Sequence, residues 1–337
     1  MKICVVGAGA IGGYLAVLLA RAGNDVTVIA RGMQLSAIRE DGLRLIDAQG
    51  AEVAHARVKA TADLRDGGVQ DLVLLTVKAH QVTPIAPHLH ALMHEDTVIV
   101  PMQNGIPWWY FQRHGGDYEG LAVHTVDPSG VLARSIDPAR LIGCVVYPAT
   151  TVARPGVIRH VEGNRFPLGE LDGTESARAL KISQVFVDAG LKSPVLPDIR
   201  AEIWLKLWGN LSFNPISALA HSTLVDLCEH PLARELARSM MLEAQAVATK
   251  LGRQLRVTVD RRIEGAARVG RHKTSMLQDV EAGRDLEIDA LVGSVIELGA
   301  LTGVPTPHIS SVYACVKLLS QTMALEKGAV RMMPLAA

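Results

Sequence analysis

The sequence predicts an α/β first half built on a parallel sheet, followed by a mostly α-helical second half. Three observations predict it. Residues 3–30 read strand, glycine turn, helix, strand, which is one βαβ unit. Further short apolar runs recur through the first half at strand spacing. From Asp198 onward, long helical patterns dominate instead. The 337 residues suffice for two domains at about 150 residues each. We divide them at 1–197 and 198–337.

The elements follow in order. Ile3–Val6 is a short apolar run ending in glycines, as a buried parallel strand requires. Ala10–Ala22 is rich in Ala, Leu and Val and stops at Gly23-Asn24. Val26–Ala30 is the second strand. Leu43–Ile46 and Val53–Ala56 flank a polar stretch containing Gly50, a hairpin expected to cover one sheet edge. Leu72–Val77 and Thr97–Pro101 are further strands, with a helix expected over Val82–Met93 between them. Leu121–Val126 and Leu141–Tyr147 are two more strand candidates. Thr150–Ala153 and Val157–Val161 are joined by the turn Arg154-Pro155-Gly156. In the second half, helices are expected over Ile199–Leu211, Pro231–Leu251, Asp260–Val269, Glu287–Thr302 and His308–Ala324. Pro215 is expected to kink or restart the first of these. The tail after Lys327 is expected to fray.

Composition excludes several functions. Apolar residues (49%) and charged residues (20%) are in globular proportion, so global disorder is excluded. Thirty-four basic residues balance thirty-four acidic ones, which gives no support to a nucleic-acid or membrane-surface partner. The longest apolar run falls short of the roughly 18 residues of a membrane span. Cys4, Cys144, Cys228 and Cys315 form no CxxC. With no secretion signal, they imply a reducing compartment, the cytosol.

Gly7-Ala8-Gly9-Ala10-Ile11-Gly12 fits GxGxxG, directly after a strand and opening a helix. In that context Gly7 permits the tight turn, Gly9 admits a pyrophosphate and Gly12 lets the helix pack on the strand. The helix N-terminus adds free N–H groups. The first half is therefore a Rossmann-type dinucleotide-binding domain. At the end of the second strand an NAD enzyme carries a carboxylate, whereas here Arg31 stands there. A guanidinium accepts a 2′-phosphate, so the cofactor inferred is NADP(H), with Gln34 as an added polar contact.

Lys206, Asn210 and Asn214 lie at i, i+4 and i+8, on one helical face within an apolar setting. Spacing alone also fits one snorkelling lysine with two capping asparagines. A 2-oxo acid reductase would use these groups well. Hydride arriving at a carbonyl carbon builds charge on oxygen, which an ammonium can stabilise and then protonate. Asparagine amides orient a substrate without adding charge.

The glycine turn, Val77-Lys78, Gln103-Asn104-Gly105, Arg200 to Lys206 with Asn210 and Asn214-Pro215, and Ser275 to Asp279 followed by Glu287-Ile288-Asp289 occur in this order. Together they resemble the ketopantoate reductase (2-dehydropantoate 2-reductase) family over about residues 1–325. The resemblance implies Lys206 as general acid and Glu287 as a catalytic glutamate that binds the substrate hydroxyl. It implies Asn210, Asn214 and Ser275 as substrate-binding residues. Lys78 and Asn104 fall at the nicotinamide–substrate junction, and Arg31 at the NADP phosphate. The implied reaction is NADPH-dependent reduction of ketopantoate to pantoate, a step of pantothenate biosynthesis.

Other features compete. Trp108-Trp109-Tyr110-Phe111 reads as local packing, as a dimer contact, or as a wall or lid of the substrate pocket, the last favouring a different branched or aromatic 2-oxo acid. A non-catalytic NADP(H)-binding regulator is a further alternative. His88, His90 and His94 invite a metal reading, but no cysteine lies nearby and the reaction needs none, so no metal is expected. The arginines of 253–271, with His272 and Lys273, read as a solvated helix face. The Ala- and Leu-rich helical half can offer a homodimer surface.

Overall fold

The computed structural model describes residues 1–332, so the C-terminal residues 333–337 of the tail lie outside it. The chain forms two compact units. One gathers Met1–Gln103, Trp108–Ala122 and Ser129–Ile199. The other gathers Asn104–Pro107, Val123–Pro128 and everything from Arg200.

In the first unit the strands are β1 Lys2–Val6, β2 Asp25–Ile29, β3 Leu43–Ile46, β4 Glu52–Ala56, β5 Lys59–Thr61, β6 Leu72–Leu75, β7 Val98–Pro101, β8 Gly143–Cys144, β9 Ala149–Arg154, β10 Val157–Glu162 and β11 Leu168–Gly169. The helices are α1 Ala10–Arg21, α2 Gly32–Asp41, α3 Ala79–Val82, α4 Val131–Ser135 and α5 Ala177–Asp188. Five strands form an all-parallel sheet in the order β5-β2-β1-β6-β7. That order reverses at β1, the switch point outside which doubly wound sheets bind ligands. Helix α1 buries Tyr14, Leu15, Val17 and Leu19 in a core shared with Ile3, Val5, Val28 and Leu74.

Several expectations are corrected. The β3–β4 hairpin is antiparallel as read, but it joins β10 and β9 in a separate sheet of order β4-β3-β10-β9 rather than covering an edge of the parallel sheet. The stretch 82–93 is not one α-helix. It is the short α3 followed by a 3₁₀ segment, Ala86–Leu92, because Pro84 and Pro87 deny the donors that a continuous helix needs. Residues 121–126 form no strand, and the run 141–147 keeps only β8.

In the second unit, α6 Ile199–Ala220 begins at the unit boundary and continues past Pro215 without restarting. It is apolar nearly all round, with Ile203, Trp204, Leu207, Trp208, Leu211, Phe213, Ile216 and Ala218 buried. Burial on this scale outweighs the roughly 3 kcal/mol that an interior proline costs. Then follow α7 Leu224–Glu229, α8 Pro231–Lys250, α9 Val259–Arg268, α10 Ser275–Glu281, α11 Ser294–Thr302 and α12 Pro307–Glu326. The expected helix 287–302 opens instead with a π turn, Asp289–Gly293.

All four cysteines are free thiols; Cys4, Cys144 and Cys228 are buried and Cys315 is exposed. Burial pushes the Cys4 thiol up to about 12. Thiol titration of the native protein with an aromatic disulfide at mildly alkaline pH should modify Cys315 alone, the other three reacting only in denaturant. Fast native reaction of a second thiol would contradict this packing.

Candidate active site

The glycine turn leaves β1 exactly where the strand order reverses. Gly7 adopts φ +107°, and a Cβ there would lie 2.6 Å from a Val77 methyl. Its N–H donates to Ile29 O (3.0 Å), and the Thr76 hydroxyl donates to Gly7 O (2.7 Å), tying the turn to the ends of β2 and β6. A Cβ on Gly12 would lie 1.9 Å from Gly7 O and 2.5 Å from Thr76 Oγ1, so the turn and α1 touch. Gly9 differs: nothing lies within 4 Å of where its Cβ would be. Two glycines therefore serve the fold and one leaves room for a ligand. Ala8, Ala10 and Ile11 complete the turn and the first helical residues.

This contrast is testable. Gly12→Ala should lower the melting temperature, since overpacking costs about 1–3 kcal/mol. Gly9→Ala should leave melting unchanged and weaken dinucleotide binding, measured by titration. The reverse pattern would reject these roles.

A cavity of about 980 Å³ opens beside the turn, lined among others by Gly7, Gly9, Arg31, Gln34, Arg65 and His88. Arg31 stands at the N-cap of α2, exposed, at the end of β2. Gln34 spends both ends of its amide on structure: Nε2 donates to Ala8 O (2.7 Å) and Oε1 accepts from Gly156 N–H (3.0 Å). It braces the turn rather than standing ready as a separate contact. Two groups missed by the sequence reading, Asp63 and Arg65, also face the cavity. The Arg65 guanidinium donates to the Asp63 carboxylate (Nη2 to Oδ2, 2.5 Å), and that bond holds Asp63 down at about 2. The signal for them was their place just after a parallel strand, the three-residue β5. His80, His88 and His90 line the same cavity, and among the described residues no cluster fit for a metal occurs.

Gln103 anchors its amide nitrogen on Leu75 O (2.8 Å) and Val77 O (2.9 Å), which leaves its Oε1 buried without a partner. An orphaned acceptor at the carboxyl end of β6, the free space at Gly9 and the guanidinium of Arg31 together fit a phosphorylated dinucleotide. Lys78 follows on the same side of the sheet, half-buried at the N-cap of α3.

The second unit holds the other candidates. Lys206 donates from Nζ to Asn104 Oδ1. Because Oδ1 faces the ammonium, the Asn104 Nδ2 donors point the other way. Asn214, 6% exposed, donates from Nδ2 to Ser275 Oγ (3.3 Å), at the first turn of α10. Asn210 is half-buried between Lys206 and Asn214 on α6. Glu287 is half-buried two residues before the π turn, and its carbonyl accepts Leu291 N–H (3.2 Å). The structure thus joins Lys206 to Asn104 and Asn214 to Ser275.

Two further readings resolve here. The aromatic run is local packing: Trp109, Tyr110 and Phe111 are at most 1% exposed in the first unit, with Tyr110 and Phe111 edge to face at 5.0 Å. Arg262 departs from a solvated face, because its guanidinium lies over Gly209 of α6, where a Cβ would sit 2.2 Å from Nη2.

Comparison with known proteins points to one family. The family described as "Ketopantoate reductase PanE/ApbA" matches residues 3–173, and its C-terminal counterpart matches residues 198–320. A 2-dehydropantoate 2-reductase of Mesorhizobium japonicum is 53% identical over 97% of this chain and 99% of its own. A candidate ketopantoate reductase structure from Ralstonia solanacearum superposes with TM-score 0.90 at 40% identity, covering 96% of this chain and 98% of the other. D-mandelate dehydrogenase, solved with NADH and anilino(oxo)acetate, shares the fold alone (TM-score 0.82, 22% identity, 96% and 100% covered). An α/β dinucleotide-binding fold with a helical C-terminal half, matched by both family profiles and by a relative more than half identical, identifies the chain as a member of the ketopantoate reductase family.

Proposed function

We propose that the protein reduces 2-dehydropantoate (ketopantoate) to pantoate with NADPH, a step of pantothenate biosynthesis in the cytosol. The observation that carries this reading is the Lys206 ammonium seated on the Asn104 carbonyl, in the same unit that joins Asn214 to Ser275. The near-full-length match to a 2-dehydropantoate 2-reductase supports the substrate. Four free cysteines support a reducing compartment.

The residues present fit NADP. The Gly7–Gly12 turn and the start of α1 would hold the pyrophosphate, and Arg31 the 2′-phosphate. Lys78 and Asn104 would border the nicotinamide. Bound there, NADPH supplies the hydride. A fold neighbour binds NADH, so the fold alone leaves cofactor choice open, and Arg31 is what favours NADPH.

The chain's own groups do the rest. Lys206 Nζ stabilises the charge that grows on the substrate carbonyl oxygen and gives it a proton. Asn104 Oδ1 holds that ammonium, while its Nδ2–H donors are free to meet the substrate. Ser275 Oγ accepts from Asn214, which turns the hydroxyl hydrogen outward as a donor for the substrate carboxylate. Asn210 orients the substrate without adding charge. Glu287 binds the substrate hydroxyl and helps position the reacting groups.

The test follows NADPH absorbance with ketopantoate, and in parallel with branched and aromatic 2-oxo acids. The highest kcat/KM on ketopantoate is expected. A clear preference for another 2-oxo acid would replace the substrate while keeping the chemistry. NADPH binding without turnover of any carbonyl compound would make the protein a regulator.

A further inference from the structure

Asn104 can hold Lys206 only if its own backbone is fixed, and its two neighbours reveal how. Gly105 sits at φ +95°, and a Cβ there would lie 2.2 Å from the Ala290 carbonyl oxygen and 2.5 Å from its carbonyl carbon. Ile106 N–H donates to that same Ala290 oxygen at 3.0 Å. The backbone of Asn104-Gly105-Ile106 therefore rests on one carbonyl, and only glycine lets it come so close.

That carbonyl is available for a reason. In a regular α-helix Ala290 O would take the N–H of Ser294, four residues on. Here Asp289–Gly293 is a π turn, and the Ser294 N–H reaches five residues back to Asp289 O. The Ala290 oxygen is thereby released to Ile106 N–H and to the Ser294 hydroxyl (2.8 Å). An isolated π turn is rare and recurs at functional sites. This one also follows Glu287 by two residues, so one distorted turn sets both the Glu287 backbone and the seat for Asn104. A second segment is held against the same turn: a Cβ on Gly293 would lie 3.0 Å from the Thr125 methyl, while Glu297 of α11 accepts the N–H groups of His124 and Thr125 (2.7 Å each).

We propose that Gly105, seated on the Ala290 carbonyl that the π turn releases, is a positioning residue that holds Asn104 against Lys206 for proton delivery. This rests on the role given above to the Lys206–Asn104 pair. It extends that role to a residue that touches neither substrate nor reacting atoms.

Gly105→Ala is the test. The expected kcat with NADPH and ketopantoate falls by roughly ten- to a hundredfold, as for displaced catalytic groups, with smaller changes in the KM for ketopantoate and in the NADPH Kd, which the glycine turn and Arg31 dominate. The alkaline limb of the kcat profile should move as it does in Asn104→Ala. In the Asn104→Ala background, Gly105→Ala should cost little more, because both changes break one device. Full kcat in Gly105→Ala, or the same fold-loss in both backgrounds, would overturn the proposal. Amide exchange of the wild-type protein covers a variant that fails to fold: Ile106 N–H should be strongly protected, and exchange at the free-peptide rate would remove the seat. A wild type inactive on ketopantoate would sink the substrate reading alone, since Ile106 exchange still judges the seat.

Discussion

Lys206→Ala should lower kcat on ketopantoate by roughly a hundred- to ten-thousandfold, the usual worth of a positioned general acid. The loss belongs in kcat, because the ammonium acts on charge that exists only as the carbonyl is reduced. NADPH binding should hold, since the glycine turn and Arg31 are untouched. Lys206→Arg should rescue little despite keeping the positive charge. A guanidinium does not release its proton at working pH, and its planar fork does not match the site that Asn104 offers to a single ammonium. The sign with pH follows from the role. The general acid must enter protonated, so wild-type kcat should fall on the alkaline side as the ammonium is lost, and the residual activity of Lys206→Ala should lack that limb. Stopped-flow single turnover separates this step from product release. A Lys206→Ala enzyme with wild-type turnover would remove Lys206 from the chemistry and return it to a snorkelling lysine.

How much of this was legible beforehand depends on whether the cause was local. Gly7 and Gly12 are written in the sequence because their constraints are steric and sit within one strand–turn–helix unit. Lys206, Asn210 and Asn214 were legible as one helical face because spacing along α6 is a local property. Their partners were not. Asn104 is about a hundred residues from Lys206, and Ser275 about sixty from Asn214; only tertiary packing joins them, and the residue order carried that only through family resemblance. Where a local signal competed with burial, burial won: Pro215 reads as a kink or a restart, yet α6 does not restart there, and the buried residues around it keep the helix continuous. Where nothing opposed it, the local signal won, and Pro84 and Pro87 divide the stretch expected as one helix. β5 escaped because Lys59-Ala60-Thr61 is too short for any period, and with it went Asp63 and Arg65. α5 carries a Ser176 cap and buried Ala179, Ile182 and Phe186 at helical spacing, so it was within reach of the sequence. The π turn was not, since its backbone differs from an α-helix by one hydrogen-bond step that side-chain periodicity does not record.

Arg31→Ala should raise the Kd for NADPH by roughly ten- to a hundredfold, the loss of charge-assisted hydrogen bonds of about 1.5–3 kcal/mol. The NADH Kd should barely change, because NADH carries no 2′-phosphate. The cavity wall says why this arginine and not its neighbour carries the selectivity. Arg65 faces the same cavity, but its guanidinium is spent on Asp63 through Nε and Nη2. That pair is neutral as a whole and offers a phosphate little net attraction. Arg31 leaves β2 at the cavity edge, and among the described residues its guanidinium has no ion-pair partner to give up. Arg65→Ala should accordingly cost less than Arg31→Ala, and by unpairing Asp63 it would leave a carboxylate facing the phosphate. Added salt should weaken NADPH binding to the wild type more than to Arg31→Ala, since an exposed guanidinium is screened. Arg31→Lys should recover part of the loss, as a point charge without the bidentate fork. Equal weakening of NADPH and NADH in Arg31→Ala would take the 2′-phosphate away from Arg31. The effect would then be on the turn into α2, whose first carbonyl bond, Leu35 N–H to Arg31 O at 3.4 Å, is made by the same residue.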